Sequence, residues 1–271
     1  MSNARVVKVS NWQQGRVAEA DDLIAAEVPV ALTYNRVSHV VMMATPADLE
    51  DLALGFSLTE GIIGGKADLL SARVLPREGG IELAMTITEP WFDRLATQRR
   101  NLTGRTGCGL CGAERIEQAL RYPAPVGDAV RVSHAALQRA LAAMPPRQQL
   151  QSLTGATHGA AWCDLQGNIL EVREDVGRHN ALDKLIGALA RSGFDPRQGF
   201  LLVSSRASYE MVYKAAVAGM EVIVAVSAPT TLAIDFAERC GMTLVGFARP
   251  ERHNVYTFGQ RISQDGAHGG D

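Results

Sequence analysis

The chain has 271 residues, 46% of them hydrophobic, and its 27 basic and 29 acidic side chains leave a formal net charge of −2. That suffices for one large domain or two modest ones around ordinary cores, and it lacks the basic excess that bulk nucleic-acid binding requires. No stretch reaches the roughly 18 consecutive apolar residues of a membrane span, and Met1 is not followed by an apolar run with a cleavage site, so a cytoplasmic protein that engages neither nucleic acid nor membrane is expected.

Residues 1–14 are polar and mixed, and the first strands read at 28–33 and 37–44, around a turn at Asn35. Thr45-Pro46-Ala47-Asp48 predicts a helix start, with Thr45 as N-cap and Pro46 at the first helical position. Leu49, Leu52, Ala53 and Phe56 recur at helical spacing and Gly61 can end the helix. Strands follow at 72–76 and 81–87, and a helix at 113–120. Ser133 caps a helix with Ala136, Leu137, Ala140, Leu141 and Met144 on its apolar face, stopped by Pro145-Pro146. Residues 156–164 and 168–173 predict a hairpin turning at Gln166-Gly167, and Leu182, Leu185, Ile186 and Leu189 mark the next helix. Strands at 200–204, 222–226 and 243–248 then alternate with helices at 208–218 and 230–240, each closed by a glycine (Gly219, Gly241), and a last short strand is expected at 255–258.

Strands alternating with helices imply a mostly parallel sheet covered on both faces. The fold class is α/β. A cytidine deaminase-like three-layer domain is expected over 129–262, with a smaller N-terminal α+β subdomain over 1–128. The Gly-rich residues 263–271 read as a disordered tail.

The strongest local signal is Arg105-Thr106-Gly107-Cys108-Gly109-Leu110-Cys111-Gly112. Three glycines let this backbone approach a ligand closely, and both thiols precede the predicted helix at 113–120, whose dipole favours a thiolate. Such a thiolate can attack a donor persulfide and hold the sulfur. A zinc site would need two more ligands, and neither an H-x3-5-H nor a second C-x-x-C completes one within the chain, although a homodimer could pair two loops. A dithiol redox switch is open too, without the strand that feeds a thioredoxin-like motif. No stoichiometric zinc is expected, and elemental analysis finding about one zinc per chain or per dimer would overturn this. The remaining cysteines, Cys163 and Cys240, read as core.

Glu174-Asp175-Val176-Gly177-Arg178-His179-Asn180 places more polar groups at a strand-to-helix junction than one helix cap requires. A pocket wall is expected, with Asp175 as cap or ligand contact and His179 as base or structural residue. Ser204-Ser205-Arg206-Ala207-Ser208 and Ser227-Ala228-Pro229-Thr230-Thr231 each end a strand and open a helix, an arrangement suited to a phosphorylated ligand. Neither a P-loop nor a G-x-G-x-x-G is present. The deaminase signature H-x-E plus P-C-x-x-C is missing as well, because Gly159 and Ala160 follow His158 and the C-x-x-C lies upstream of the sheet.

Together, Gly107–Gly112, the Thr157-His158-Gly159-Ala160-Ala161 block, the Glu174–Ala181 block, Ser204-Ser205-Arg206 and Phe247-Ala248-Arg249 resemble the formate dehydrogenase accessory sulfurtransferase family, FdhD, across residues 28–258. The resemblance implies a homodimeric sulfurtransferase that accepts sulfur from a cysteine desulfurase. It implies binding and sulfuration of the bis-molybdopterin guanine dinucleotide molybdenum cofactor on behalf of formate dehydrogenase. By the same resemblance Cys108, ahead of Cys111, carries the persulfide, and Phe247, Ala248, Arg249, Pro250, Glu251 and Arg252 form a cofactor-binding segment. A guanine nucleotide such as GDP should mimic part of the cofactor. Arg178, His179, Asn180, Ser205, Arg206, Ser208, Ser227 and Thr230 are then expected around it, with Arg206 at phosphate and Asp175 at the guanine edge. The alternative is a cofactor-binding chaperone that does no chemistry, its cysteines serving docking or zinc.

Overall fold

Residues 2–100 and 123–264 are described in a computed structural model. Cys108, Cys111 and the expected helix at 113–120 lie outside the described residues, as does most of the expected tail.

Val30, Leu32 and Tyr34 line the buried face of strand β3 (Val28–Tyr34). Asn35 and Arg36, both left-handed (φ 47° and 69°), turn it into β4 (Val37–Ala44), the two-residue turn whose twist suits a hairpin. With β5 (Leu69–Arg77) and β6 (Gly80–Ile87) these form a four-stranded sheet ordered β4-β3-β6-β5, in which β3 and β6 are parallel. Helix α1 (Leu49–Thr59) packs Leu49, Leu52 and Ala53 on it.

Three local expectations need correction here. The polar N-terminal stretch is a strand: β1 (Ala4–Gln13) and β2 (Arg16–Ala25) form an antiparallel hairpin. A further helix, α2, spans Glu89–Arg100. Thr45 does not cap α1, which starts after Asp48 (φ 51°) without a side-chain cap. All three polar groups of Thr45 turn to the far half of the chain instead. Its amide donates to Asp175 Oδ2 at 3.0 Å, its hydroxyl accepts from Val176 N at 3.2 Å, and its carbonyl accepts from Lys184 Nζ at 3.0 Å.

The second half opens with β7 (Val132–Ser133) and helix α3 (His134–Ala143), capped as expected by Ser133, whose hydroxyl accepts from Ala136 N at 3.1 Å. A short helix α4 (Gln149–Thr154) follows, then the hairpin β8 (His158–Asp164) and β9 (Ile169–Asp175), helix α5 (Arg178–Ser192), β10 (Gly199–Val203), α6 (Tyr209–Val217), β11 (Val222–Ala225), α7 (Thr231–Cys240) and β12 (Thr243–Arg249). The last strand of this sheet is β13 (Arg252–Val255), not 255–258, and β14 (Ile262–Ser263) pairs with β7.

The sheet order is β13-β12-β11-β10-β8-β9. Only the β10–β11 and β11–β12 pairs are parallel, and β8 and β13 run against the other four strands, so the sheet is mixed rather than mostly parallel. The cause is local. The Asp164–Asn168 turn and the Pro250-Glu251 turn (Glu251 φ 63°) are too short for a crossover and force antiparallel return. One face buries Trp162, Leu182, Met211 and Phe236 beneath α5, α6 and α7; the other buries Leu137, Cys163, Leu202 and Val245 beneath α3. Cys163 and Cys240 are both core residues, and burial pushes the Cys163 thiol well above its usual pKa.

Helices α1 and α5 cross in direct backbone contact. A Cβ on Gly55 would lie 1.7 Å from the Asp183 carbonyl oxygen, and one on Gly187 would lie 2.0 Å from that of Asp51. Buried charges flank the crossing. Lys214 Nζ sits 2.9 Å from Asp183 Oδ2, 3.0 Å from Glu60 Oε1 and 2.9 Å from Thr59 Oγ1. Burial alone would lower the Lys214 ammonium, but the carboxylates of Asp183 and Glu60 outweigh it and hold its pKa at about 12. Asp51 is likewise held between Arg173, at 2.8 Å, and Arg191.

Candidate functional site

In this sheet β9, β10, β11 and β12 end, and β8 begins, along one edge, where the N-termini of α5, α6 and α7 also lie. Strand-end turns are where polar groups can face solvent without breaking a ladder, and helix N-termini add unpaired amides. Main-chain bonds stitch the turns together. Gly159 and Ser204 pair through Ser204 N (3.0 Å to Gly159 O) and Ser204 Oγ (2.9 Å from Gly159 N). Ser227 N donates to Ser205 O at 3.4 Å, Thr230 N to Ala207 O at 3.0 Å and Phe247 N to Ser227 O at 3.0 Å. Thus the Arg178–Asn180, Ser205–Ser208, Ser227–Thr230 and Phe247–Arg252 segments, predicted separately, share one rim.

Their side chains divide into presented and engaged groups. Arg206, Arg249, Pro250, Glu251 and Arg252 are exposed, as is Phe247, which has a left-handed backbone (φ 49°). The Arg178 guanidinium lies by the start of α5, its Nε shielded and without a hydrogen-bond partner among the described residues. His179 Nε2 meets Glu210 Oε2 at 2.8 Å, and this bond, against burial, holds the Glu210 carboxyl below its usual range. Ser208 stands at the N-cap of α6 without a side-chain cap, its hydroxyl shielded and unpartnered among the described residues. Thr230 caps α7, accepting from Ala233 N at 3.3 Å.

Four of the expected contact residues are inside the protein. Asp175 is fully buried: Oδ1 accepts from Gly177 N (2.8 Å) and Asn180 Nδ2 (3.1 Å), and Oδ2 lies 2.6 Å from Lys184 Nζ. With the Thr45 amide on Oδ2 as well, its oxygens are engaged, so Asp175 does not face a guanine edge, and the N-cap of α5 is Gly177. Asn180 bridges inward too, donating to Met43 O at 2.8 Å. The Ala248 side chain belongs to the core beneath α3, which leaves only its backbone for a ligand, and the buried Ser205 hydroxyl donates to Arg206 O at 3.1 Å.

Sequence reasoning missed a cavity of about 400 Å³ beside this rim, lined by Gln148, Gln151, Thr157, His158 and Ser204. Its walls come from the α4 segment, the start of β8 and the turn after β10. Glu174 on β9 accepts from the Leu150 and Gln151 amides (2.9 and 2.7 Å) and from the Thr157 hydroxyl (3.0 Å), which pins α4 over the hairpin end. Burial first, then the Arg178 cation and His179, push the His158 imidazole below its usual pKa, leaving it neutral at pH 7. The Thr157-His158-Gly159 block carried a signal for this cavity, but its partners at 148–151 lie in an element with no periodicity to announce it. Among the described residues no group of three or more His, Cys, Asp or Glu could hold a metal ion, and no helix is long and apolar enough to cross a membrane.

Residues 25–263 match the model of the FdhD/NarQ family. The chain is 52% identical over 257 residues to the protein named sulfur carrier protein FdhD in Cupriavidus necator, covering 95% of this chain and 89% of that one. To the protein of the same name in Bordetella petrii it is 49% identical over 261 residues, covering 96% and 94%. A solved structure described as a formate dehydrogenase accessory protein, from Desulfotalea psychrophila, superposes with a TM-score of 0.75 over 97% of this chain and 100% of that one, at 24% identity, so the fold is shared. With the family model matching nearly its whole length, the chain belongs to the FdhD/NarQ family.

Proposed function

We propose that this chain is a sulfur carrier with sulfurtransferase activity, serving formate dehydrogenase. Cys108 accepts sulfur from a cysteine desulfurase and passes it to the bis-molybdopterin guanine dinucleotide molybdenum cofactor, which is the substrate. The observation that carries this reading is near-full-length identity of 49% and 52% to proteins named sulfur carriers, in a chain with a Gly-rich C-x-x-C. In the loading step the Cys108 thiolate attacks the outer sulfur of the donor persulfide. A new S–S bond forms on Cys108, the donor S–S bond breaks, and the donor leaves as a thiolate.

The rim that gathers Arg178, Arg206, Arg249 and Arg252 around three helix N-termini suits a dinucleotide with phosphate groups. The helix–hairpin–helix–strand order, which we liken to the cytidine deaminase layout, supports placing the ligand there. The same reading has the protein work as a homodimer in the cytoplasm. Intact-mass measurement after incubation with a desulfurase and cysteine tests it: a gain of one sulfur atom is expected. Cofactor binding with no gain would leave a chaperone without chemistry.

The phosphate assignment has its own check. Calorimetric titration with GDP should show binding that Arg206→Ala weakens by ~1–3 kcal/mol, the range of a charge-assisted contact. An affinity unchanged in that variant would remove Arg206 from the ligand site.

A further inference from the structure

The turn that carries two of the rim arginines is held from outside the rim. Arg249 and Arg252 are cross-strand partners on β12 and β13, and Pro250 and Glu251 join them. Pro250 has no N–H, and Glu251 is left-handed (φ 63°), a conformation that a residue with a side chain keeps only with support. The support comes from α3, where Gln138 Oε1 accepts from Glu251 N at 2.9 Å. That one backbone N–H fixes the protons behind it. With its oxygen on Glu251, Gln138 turns its amino group to His253 Nδ1 at 3.1 Å, so this nitrogen accepts. His253 then carries its proton on Nε2 and donates it to His134 Nδ1 at 2.7 Å. His134 in turn is protonated on Nε2 alone. His134 and Gln138 stand four residues apart on α3, which brings both to β13.

We propose that Gln138 is a positioning residue for the rim, holding the Arg249–Arg252 turn through a relay that protonation of either histidine breaks. This rests on the nucleotide reading above, which puts these arginines at the ligand. A proton on His253 Nδ1 would face the Gln138 amino group, and turning the amide over would set that amino group against Glu251 N–H. A proton on His134 Nδ1 would meet the one on His253 Nε2, and moving the latter round to Nδ1 restores the first conflict. Burial first, then His134, push the His253 imidazole below its usual pKa. The relay is therefore whole at pH 7 and is lost as pH falls below the usual histidine range. The adjoining charges are Arg249, Glu251 and Arg252 of the turn, Arg139 on α3, which donates to Gln166 O, and Arg131 and Asp128 ahead of β7. Glu251 is exposed, and Asp128 is engaged by Arg131 and Arg261.

Three measurements on the full chain test this. Ring-nitrogen NMR near neutral pH should show both histidines as Nε2–H tautomers. Exchange of the Glu251 amide, corrected for its intrinsic rate, should quicken about tenfold or more between about pH 7.5 and about pH 5. Gln138→Leu should exchange fast at both. His253→Asn, whose Oδ1 accepts from Gln138 but does not titrate, should stay slow at both, with thermal melts confirming that each variant is folded. By calorimetry at about pH 7.5, Gln138→Leu should bind GDP about threefold to tenfold more weakly, because Arg249 and Arg252 lose their fixed spacing. An Nδ1–H tautomer on either ring, exchange in the unmutated chain that ignores pH, or a His253→Asn chain as pH-sensitive as the unmutated one would overturn the relay. Unchanged GDP affinity in folded Gln138→Leu would overturn the positioning role while the nucleotide reading stands. Failure of GDP to bind the unmutated chain would overturn that reading and the positioning role with it, leaving the relay to stand or fall on exchange.

Discussion

Replacing Cys108 by alanine is expected to abolish persulfide formation and formate dehydrogenase activation together, while folding and GDP binding survive. Cys111→Ala should load sulfur more nearly as the unmutated chain does and lose ground at delivery. Both cysteines precede one predicted helix at 113–120, so electrostatics alone separate them little. Cys111 is nearer the helix start and should have the lower thiol pKa, but nucleophilicity falls as thiol pKa falls. Cys108, three residues further from that predicted helix, should be freer to meet a partner. Delivery makes a different demand. Releasing the outer sulfur of a persulfide as sulfide consumes two electrons, and under the proposed function the Cys111 thiolate would supply them by attacking the inner sulfur, closing a Cys108–Cys111 disulfide as the sulfide leaves. Tandem mass spectrometry should therefore find the extra sulfur on Cys108. Finding it on Cys111 in the unmutated chain would exchange the two roles.

Asp175→Ala should be the most damaging single change to stability near the rim. The Asp175 and Lys184 side chains are both fully buried and 2.6 Å apart. Removing the carboxylate strands an ammonium in the interior, a loss of about 3–5 kcal/mol. It also frees the Thr45 and Gly177 amides and the Asn180 side chain from their acceptor. Urea unfolding monitored by circular dichroism reads this directly, and a loss under about 1 kcal/mol would show that Asp175 is not a keystone of the junction. Asp175→Asn should fall between the two, because an amide keeps one acceptor but loses the charge.

These two residues also mark where sequence reasoning reached and where it stopped. Periodic apolar faces, such as Leu182, Leu185, Ile186 and Leu189 on α5, specify their element without help from elsewhere and were legible. Likewise, turn chemistry at Asn35 and at Gly219 and Gly241 could be read locally. What failed depends on distant partners. Thr45 has the composition of a cap, but its polar groups find Asp175, Val176 and Lys184, at least 130 positions away. Helix α4 has six residues and no apolar period, and it is held by Glu174, 24 positions after Leu150. The β1–β2 hairpin alternates poorly because most of both strands is exposed. For the candidate rim, composition flagged the four segments but could not separate Arg206, which faces outward, from Asn180, which faces inward. That distinction belongs to long-range partners, since Asn180 is turned inward by Met43 O and Asp175 Oδ1.

The crossing of α1 and α5 makes α5 a lever with a fixed fulcrum. Its outer end, at Arg178, helps form the rim; nine residues along, Gly187 rests on the backbone of α1 with no side chain between them. At about 1.5 Å per residue the arm from fulcrum to rim is about 13 Å long. A methyl group added at Gly55 or Gly187 has nowhere to go except by lifting one helix from the other. That tilt would reappear, through a rigid rod, as a displaced Arg178 and His179. The N-terminal sheet, which contributes no side chain to the rim segments themselves, thereby sets the angle at which the rim meets its ligand. An alanine there would misalign the rim before it unfolded the chain.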